Sequence, residues 1–215
     1  MQFSSPNVTP SEFLSRLILG TVQFGLPYGV ANTNGQIPRE EAARILELGA
    51  KAGLTTLDTA IAYGESETVL GEIGIPQWRV ITKLPKVPKG RIKVESWVLE
   101  QIEGSLRRLK VKSLHAVMLH RPEDLLTPQG IGILKALQSL KDEGIISEMG
   151  ISIYSPSELD PLLGLASFDI VQAPFNILDR SLLKTDHLSR LRKSGTHLHL
   201  RSIFLQGLLL MPPSK

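Results

Sequence analysis

The chain has 215 residues, 42% apolar and 21% charged, a composition that suits one sizeable soluble core. Its net charge of +3 comes from scattered Lys and Arg, so no basic tract points to nucleic acid. There is no cysteine, which excludes disulfides and thiolate metal sites. The opening, MQFSSPNVTPSEF, lacks the cationic start and apolar core of a signal peptide. The longest apolar run, residues 203–211, is broken by Gln206 and Gly207 and is too short to span a bilayer. A cytoplasmic protein with no membrane or nucleic-acid partner is expected.

Short apolar runs alternate with longer amphipathic segments along the whole chain. RLILG (16–20) reads as a first buried strand. PREEAARILELGAKAG (38–53) reads as a helix: Pro38 suits its first position, Glu40 and Glu41 its first turn, and Gly53 its end. LTTLD (54–58) is the next strand, ESETVLGEIG (65–74) a short helix and RVITK (79–83) a third strand. Residues 94–109 form a helix with Val94, Val98, Ile102, Leu106 and Leu109 on one face. LHAVMLH (114–120) is a strand, and 127–144 a helix with Thr127 as its cap and Pro128 after it. ISEMGIS (146–152) is a fifth strand. Ser155, Pro156 and Glu158 have the spacing of a capping box with proline at the first position. FDIVQ (168–172) is a strand, 179–195 a helix ending at Gly195, and HLHLRS (197–202) a seventh strand.

Strict alternation without a linker argues for one α/β domain over 1–215, with a parallel sheet covered by helices. Two closures are open to it, a doubly wound sheet or a (β/α)8 barrel. The segment after the first strand, GTVQFGLPYG, has glycines at 20, 25 and 29, which is not the spacing of a dinucleotide fingerprint. The strand ends add a second argument. The second strand ends at Asp58, and those that follow at Lys83, His120, Ser152, Gln172 and Arg201. A barrel gathers such ends around one mouth, where barrel enzymes place their sites, whereas an open sheet spreads them in a line.

The chemistry of these groups is coherent. A phenol titrates near 10 and is a poor acid at neutral pH. A buried lysine beside it favours the phenolate, and a carboxylate keeps that lysine charged. A neutral histidine can donate a hydrogen bond to a polarised carbonyl oxygen. Asp58, Tyr63, Lys83 and His120 are thus the parts of a device that delivers a proton to a carbonyl. They are no metal-ligand set, with one histidine among them.

Taken together, LGTVQFG, LDTAIAYGESETVLG, ITK, LHRPED, GIS, VQAPFN and SIFLQGLL occur in the order found in the aldo-keto reductases, and the chain resembles that family over nearly its whole length. The resemblance implies a (β/α)8 barrel that reduces an aldehyde or ketone, or runs the reverse oxidation. It implies a nicotinamide cofactor, NADP(H) rather than NAD(H), and a small carbonyl substrate. It makes Tyr63 the proton donor, tuned by Lys83 and Asp58, with His120 orienting the carbonyl. Ser152 and Gln172 match positions that hold the nicotinamide carboxamide, although either could simply satisfy backbone groups at the rim. Thr21 and Asp58 match contacts on the ribose side, and Ser202, Phe204 and Gln206 match a segment along the pyrophosphate. Arg201 stands where the family often stacks an aromatic ring on the nicotinamide, and it could instead pair with a carboxylate. Ile153 replaces an asparagine.

About seven β–α units are present, where the family has eight. The expectation is that the 215 residues are a fragment lacking the eighth unit, which binds dinucleotide poorly and turns over slowly. The rival from another class is a reductase-like barrel that senses nicotinamide or serves as a subunit. His115, His187, His197 and His199 read as structural or surface groups, Trp78 and Trp97 as packing, and KLPKVPKGRIK as a solvated, proline-stiffened loop.

Overall fold

The computed structural model describes residues 9–90 and 93–213. Residues 1–8 of the opening that lacks signal-peptide features, positions 91–92 of the proline-stiffened loop, and the final 214–215 lie outside the described residues. Seven strands are present: β1 (Leu19–Gly20), β2 (Thr56–Asp58), β3 (Arg79–Leu84), β4 (Leu114–Leu119), β5 (Ile146–Ser152), β6 (Ile170–Pro174) and β7 (His197–Arg201). The helices are α1 (Pro10–Ser15), α2 (Arg39–Lys51), α3 (Ser66–Ile73), α4 (Val94–Leu109), α5 (Gly130–Asp142), α6 (Leu159–Leu163) and α7 (His187–Lys193). None of them is long and apolar enough to cross a membrane.

All strand pairs are parallel, and each strand pairs with its neighbour in sequence, in the order β1 to β7. A doubly wound sheet reverses its order at a switch point. This one never reverses, so of the two closures the sheet follows the winding of a (β/α)8 barrel. Successive residues of a strand serve two apolar layers, as the pleat requires. Val80, Val117 and Leu119 pack in the large cluster under the helices, while Ile81, Ala116, Met118 and Ile170 form a small cluster on the concave side. That two-sided burial is why the strands read as continuous apolar runs.

The elements follow the sequence closely where capping or periodicity is strong. α4 occupies the expected residues, with Val94, Val98, Ile102 and Leu109 buried and Leu106 packed against them. Trp78 and Trp97 are core residues. The capping box forms: Ser155 Oγ accepts from the Ser157 amide, and Glu158 Oε1 accepts from the Ser155 amide at 2.7 Å.

Other elements differ. β1 covers only Leu19–Gly20 rather than 16–20. Pro38 lies just outside α2, which begins at Arg39. α5 starts at Gly130, and Thr127 instead closes the turn before it, accepting from the Gln129 amide at 3.3 Å. The single helix expected over 179–195 is broken into a 3-10 turn, Ser181–Lys184, and α7. The Asp179 carboxylate takes both the amide and the hydroxyl of Ser181, a local turn that competes with helix continuation.

A buried carboxylate ties the sheet to its helices. Glu67 on α3 is 1% exposed and accepts from Thr82 Oγ1 of β3 (2.6 Å), Ser105 Oγ of α4 (2.5 Å) and Arg108 Nε of α4 (2.9 Å). Every acceptor oxygen is thereby used, which is the condition for a charge to be tolerated inside a protein.

Candidate active site

The strands end in a cleft of about 630 Å³ at their C-terminal edge. Its walls include Asp58, Tyr63, His120, Ser152, Gln172 and Arg201, so residues far apart in sequence meet at one mouth. Ser202, Phe204 and Gln206 line it as well.

Asp58 closes β2 and Lys83 lies next to last in the adjacent β3. The lysine is 1% exposed; its Nζ donates to Asp58 Oδ1 at 2.7 Å and to the Thr59 carbonyl at 2.9 Å. It thus lies beneath the cleft rather than on its wall. Thr21 does not face the cleft either. It is fully buried, and its hydroxyl donates to the Asp58 carbonyl at 3.1 Å. Ser66 Oγ, the first helical residue of α3, donates to the Thr21 carbonyl at 2.9 Å. In this arrangement the polar groups after β1 and β2 hold Asp58 in place.

Tyr63 is set by two glycines. A Cβ at Gly25 would lie 1.9 Å from the Tyr63 carbonyl, and one at Gly64 would lie 2.4 Å from the Gly25 carbonyl. Gly64 also has φ +56, a conformation side chains disfavour. The loops after β1 and β2 can therefore touch backbone to backbone, which brings the phenol over the mouth. Its ring centroid is 5.1 Å from Lys83 Nζ and 5.7 Å from the His120 ring, edge to face. His120 follows β4 and donates its amide to the Leu84 carbonyl at 3.0 Å.

The electrostatics are set mainly by burial. His120 is pushed down to about 4, first by desolvation and then by the positive charges of Lys83 and Arg121. Its imidazole is therefore neutral at pH 7 and holds one N–H. The Tyr63 phenol is pushed well above its usual range, first by burial and then by the Asp58 carboxylate. This corrects the expectation that Lys83 lowers it: the ammonium is already matched by Asp58, and desolvation prevails. An NMR titration should find the His120 midpoint near 4. Lys83→Met should move it upward, because a cation that disfavours imidazolium is gone. A midpoint near the ordinary value of about 6.5 would contradict this picture.

Ser152 Oγ donates to Gln172 Oε1 at 3.1 Å across the β5–β6 register. Among the described residues Arg201 meets no carboxylate. Its Nη2 donates to the Ile153 carbonyl at 2.9 Å, and its guanidinium lies 4.6 Å from the Tyr154 ring centroid. Ile153 itself is fully buried in the core, so its side chain does not face the cleft. After β7, Ser202, Leu205, Gln206 and Gly207 all have positive φ, and Gln206 Oε1 accepts from the Val30 amide at 3.1 Å.

Several cleft residues escape the strand-end reading, chiefly Tyr28 and Tyr154; all three tyrosines of the chain line this one cleft. The signal was available one step further on, since Tyr154 lies two residues past the last strand position. Of the four other histidines, His187 is structural, its Nε2 lying 3.1 Å from Asp160 Oδ1 between α6 and α7. His115, His197 and His199 line a smaller cavity of about 390 Å³ at the opposite ends of the strands. Among the described residues no group of His, Asp or Glu converges to hold a metal.

A family model described as "Aldo/keto reductase family" matches residues 16–211. The chain belongs to the aldo/keto reductase family. Among the relatives of this aldo/keto reductase, the aflatoxin B1 aldehyde reductase member 2 of Rattus norvegicus is 28% identical over 206 residues, covering 89% of this chain and 53% of that protein. The NADH-specific methylglyoxal reductase of Escherichia coli is 26% identical over 236 aligned positions, 95% of this chain and 68% of that protein. The glycerol dehydrogenase structure from Gluconobacter oxydans superposes with a TM-score of 0.73 at 27% identity, covering 93% of this chain and 64% of that one. The holo aldo-keto reductase structure from Bacillus halodurans gives a TM-score of 0.74 at 22% identity, which bears on the fold. This aldo/keto reductase chain thus spans between about half and two thirds of the length of these relatives.

Proposed function

We propose that the protein reduces an aldehyde or ketone to an alcohol with a reduced nicotinamide dinucleotide, or catalyses the reverse oxidation, and that Tyr63 delivers the proton. The observation that carries this is the buried Lys83–Asp58 pair (2.7 Å) directly under a phenol and a neutral imidazole that share one cleft.

The donor set suits a nicotinamide carboxamide. Gln172 is 5% exposed on the cleft wall, and its Oε1 is taken up by Ser152, which leaves its NH₂ to face an incoming carbonyl oxygen. Ser152 and Gln172 would hold that group. Ser202, Phe204 and Gln206 would flank the phosphates, and Arg201 would lie near the ring. A bound dinucleotide would supply the hydride. NADP(H) in preference to NAD(H) is part of the proposal; the E. coli relative is named for NADH, whereas a Klebsiella pneumoniae relative of the same fold was solved with NADPH.

The chain's own residues do the rest. His120, neutral above about pH 4, donates its single N–H to the substrate oxygen. Tyr63 donates from the other side. As the carbonyl carbon gains a hydride, negative charge grows on the oxygen, and the phenol proton moves to it. The phenolate left behind faces the Lys83 ammonium until it regains a proton from solvent. A high phenol pKa is no obstacle, because the alkoxide that receives the proton is more basic still. The reading also places the protein in the cytoplasm, where reduced dinucleotide is available.

The test is to follow the loss of reduced-dinucleotide absorbance with a panel of aldehydes, and to measure the alcohol formed. One alcohol per dinucleotide consumed is expected, faster with NADPH than with NADH. Binding of the dinucleotide without turnover of any aldehyde would replace the enzyme by a nicotinamide sensor.

A further inference from the structure

At the mouth of the cleft, two guanidiniums converge on one tyrosine. Arg121 lies 5.0 Å and Arg201 4.6 Å from the Tyr154 ring centroid. Tyr154 is 48% exposed and lines the cleft. Arg121 follows His120 in sequence, Tyr154 follows β5 and Arg201 ends β7, so three separate strands bring the cluster together.

Two like charges near one ring demand a reason. Cation–π attraction holds each of them, yet they repel one another. Among the described residues no carboxylate pairs with either. Arg201 donates from Nη2 to the Ile153 carbonyl and from Nη1 to Ser202 Oγ at 3.4 Å, keeping its other N–H groups, and the Arg121 guanidinium donates to none of the described residues. A guanidinium held by its face keeps its rim of N–H donors free. Asp58, the acid that lines this cleft, is already taken by Lys83. The mouth therefore holds unmatched positive charge with unspent donors, next to the groups that would handle a carbonyl.

We propose that the substrate of this site is a carbonyl compound bearing an oxyanion, a carboxylate or a phosphate, which Arg121 and Arg201 hold around the Tyr154 ring while the carbonyl lies at Tyr63 and His120. The proposal rests on the carbonyl-reductase reading above. It assigns Arg121 and Tyr154 a part in substrate choice. Guanidiniums match such anions with paired hydrogen bonds. Proximity supports the arrangement, since both arginines act electrostatically on His120, and Arg201 also acts on Tyr63. An anion here would relieve the repulsion between the two cations, so its binding is favoured twice.

The chain has only three tyrosines, so ring-labelled tyrosine gives an NMR spectrum in which a Tyr154→Phe variant assigns the relevant signal. Propanoate, inorganic phosphate, neutral propanamide and ADP are titrated at constant ionic strength. Propanoate or phosphate should shift the Tyr154 signal saturably and propanamide should not; the stronger of the two anions names the group. Arg121→Met should weaken that binding about 10–100-fold, the size of one charge-assisted hydrogen bond, and Arg121→Lys should weaken it less. In turnover, the preference for an ω-oxo carboxylate over the uncharged aldehyde of equal length should fall by the same factor in Arg121→Met, mainly through KM. The proposal is overturned if no anion shifts Tyr154, if propanamide shifts it equally, or if ADP alone does so, which would give the cations to the cofactor. Aldehyde reduction without an anion response sinks only the substrate assignment. An anion response in a protein that reduces no aldehyde sinks the assignment together with the reductase reading.

Discussion

Tyr63→Phe is expected to lower carbonyl reduction by roughly 10²–10⁴-fold, the usual worth of general acid catalysis, with little change in dinucleotide binding. The ring is half-buried between Lys83 and His120, and phenylalanine fills the same space. Only the hydroxyl is lost. The measurement is single-turnover reduction alongside a dinucleotide titration. The loss should appear in kcat rather than in KM, because the proton moves only as the oxygen becomes an alkoxide. A Phe variant with most of its turnover would take the proton from another group, and the cleft offers Tyr28 and Tyr154 as the next phenols to examine.

Lys83→Met should have the second large effect, on both rate and fold. For the rate, loss of the ammonium removes the charge that faces the nascent phenolate. The phenol already titrates well above its usual range, so the loss should appear as a lower rate at every accessible pH rather than as a shifted limb. For the fold, methionine leaves Asp58, whose side chain is 16% exposed, without its partner. Breaking a buried pair from one side costs about 3–5 kcal/mol. Thermal unfolding should show the loss. The double variant Lys83→Met/Asp58→Asn should recover much of it while staying inactive, which separates the two effects. A Met variant that keeps most of its turnover would remove Lys83 from the chemistry.

Much of this site could be read along the chain, for physical reasons. Strands buried on both faces are apolar until they reach the rim, so the first polar residue after each run marks the mouth; Asp58, His120, Ser152 and Gln172 were legible on that ground. The α4 helix was legible because its apolar residues keep one period for four turns. What could not be read depends on contacts between strands or on local competition. Arg201 looked like a stacking group or half of an ion pair, but its partner turned out to be a carbonyl two strands away, at Ile153. Thr21 resembled a cofactor contact, yet only the folded loops show its hydroxyl turned inward to Asp58. The fate of the Tyr63 proton depends on how much water the surrounding loops exclude, and sequence spacing carries no measure of that. The break at 184–187 arises from side chains that offer the backbone alternative partners, against an apolar pattern that favours one helix.

The Glu67 carboxylate and the Thr21–Ser66 contacts have a consequence for how this protein can change over time. Both lie at the start of α3, and through Thr82 and Asp58 they reach the residues flanking Lys83 and those closing β2. A substitution there strands a buried charge or hydroxyl and is paid in stability, so selection against it acts through abundance before chemistry is touched. The rim is built differently. Tyr28, Arg121, Tyr154 and Phe204 are exposed, each on its own loop, and among the described residues no buried polar group hydrogen-bonds to their side chains. Mutations at the rim are cheap and mutations beneath it are not. Lineages descended from this chain can therefore diversify at the rim of the cleft while inheriting the buried Lys83–Asp58 pair beneath it unaltered.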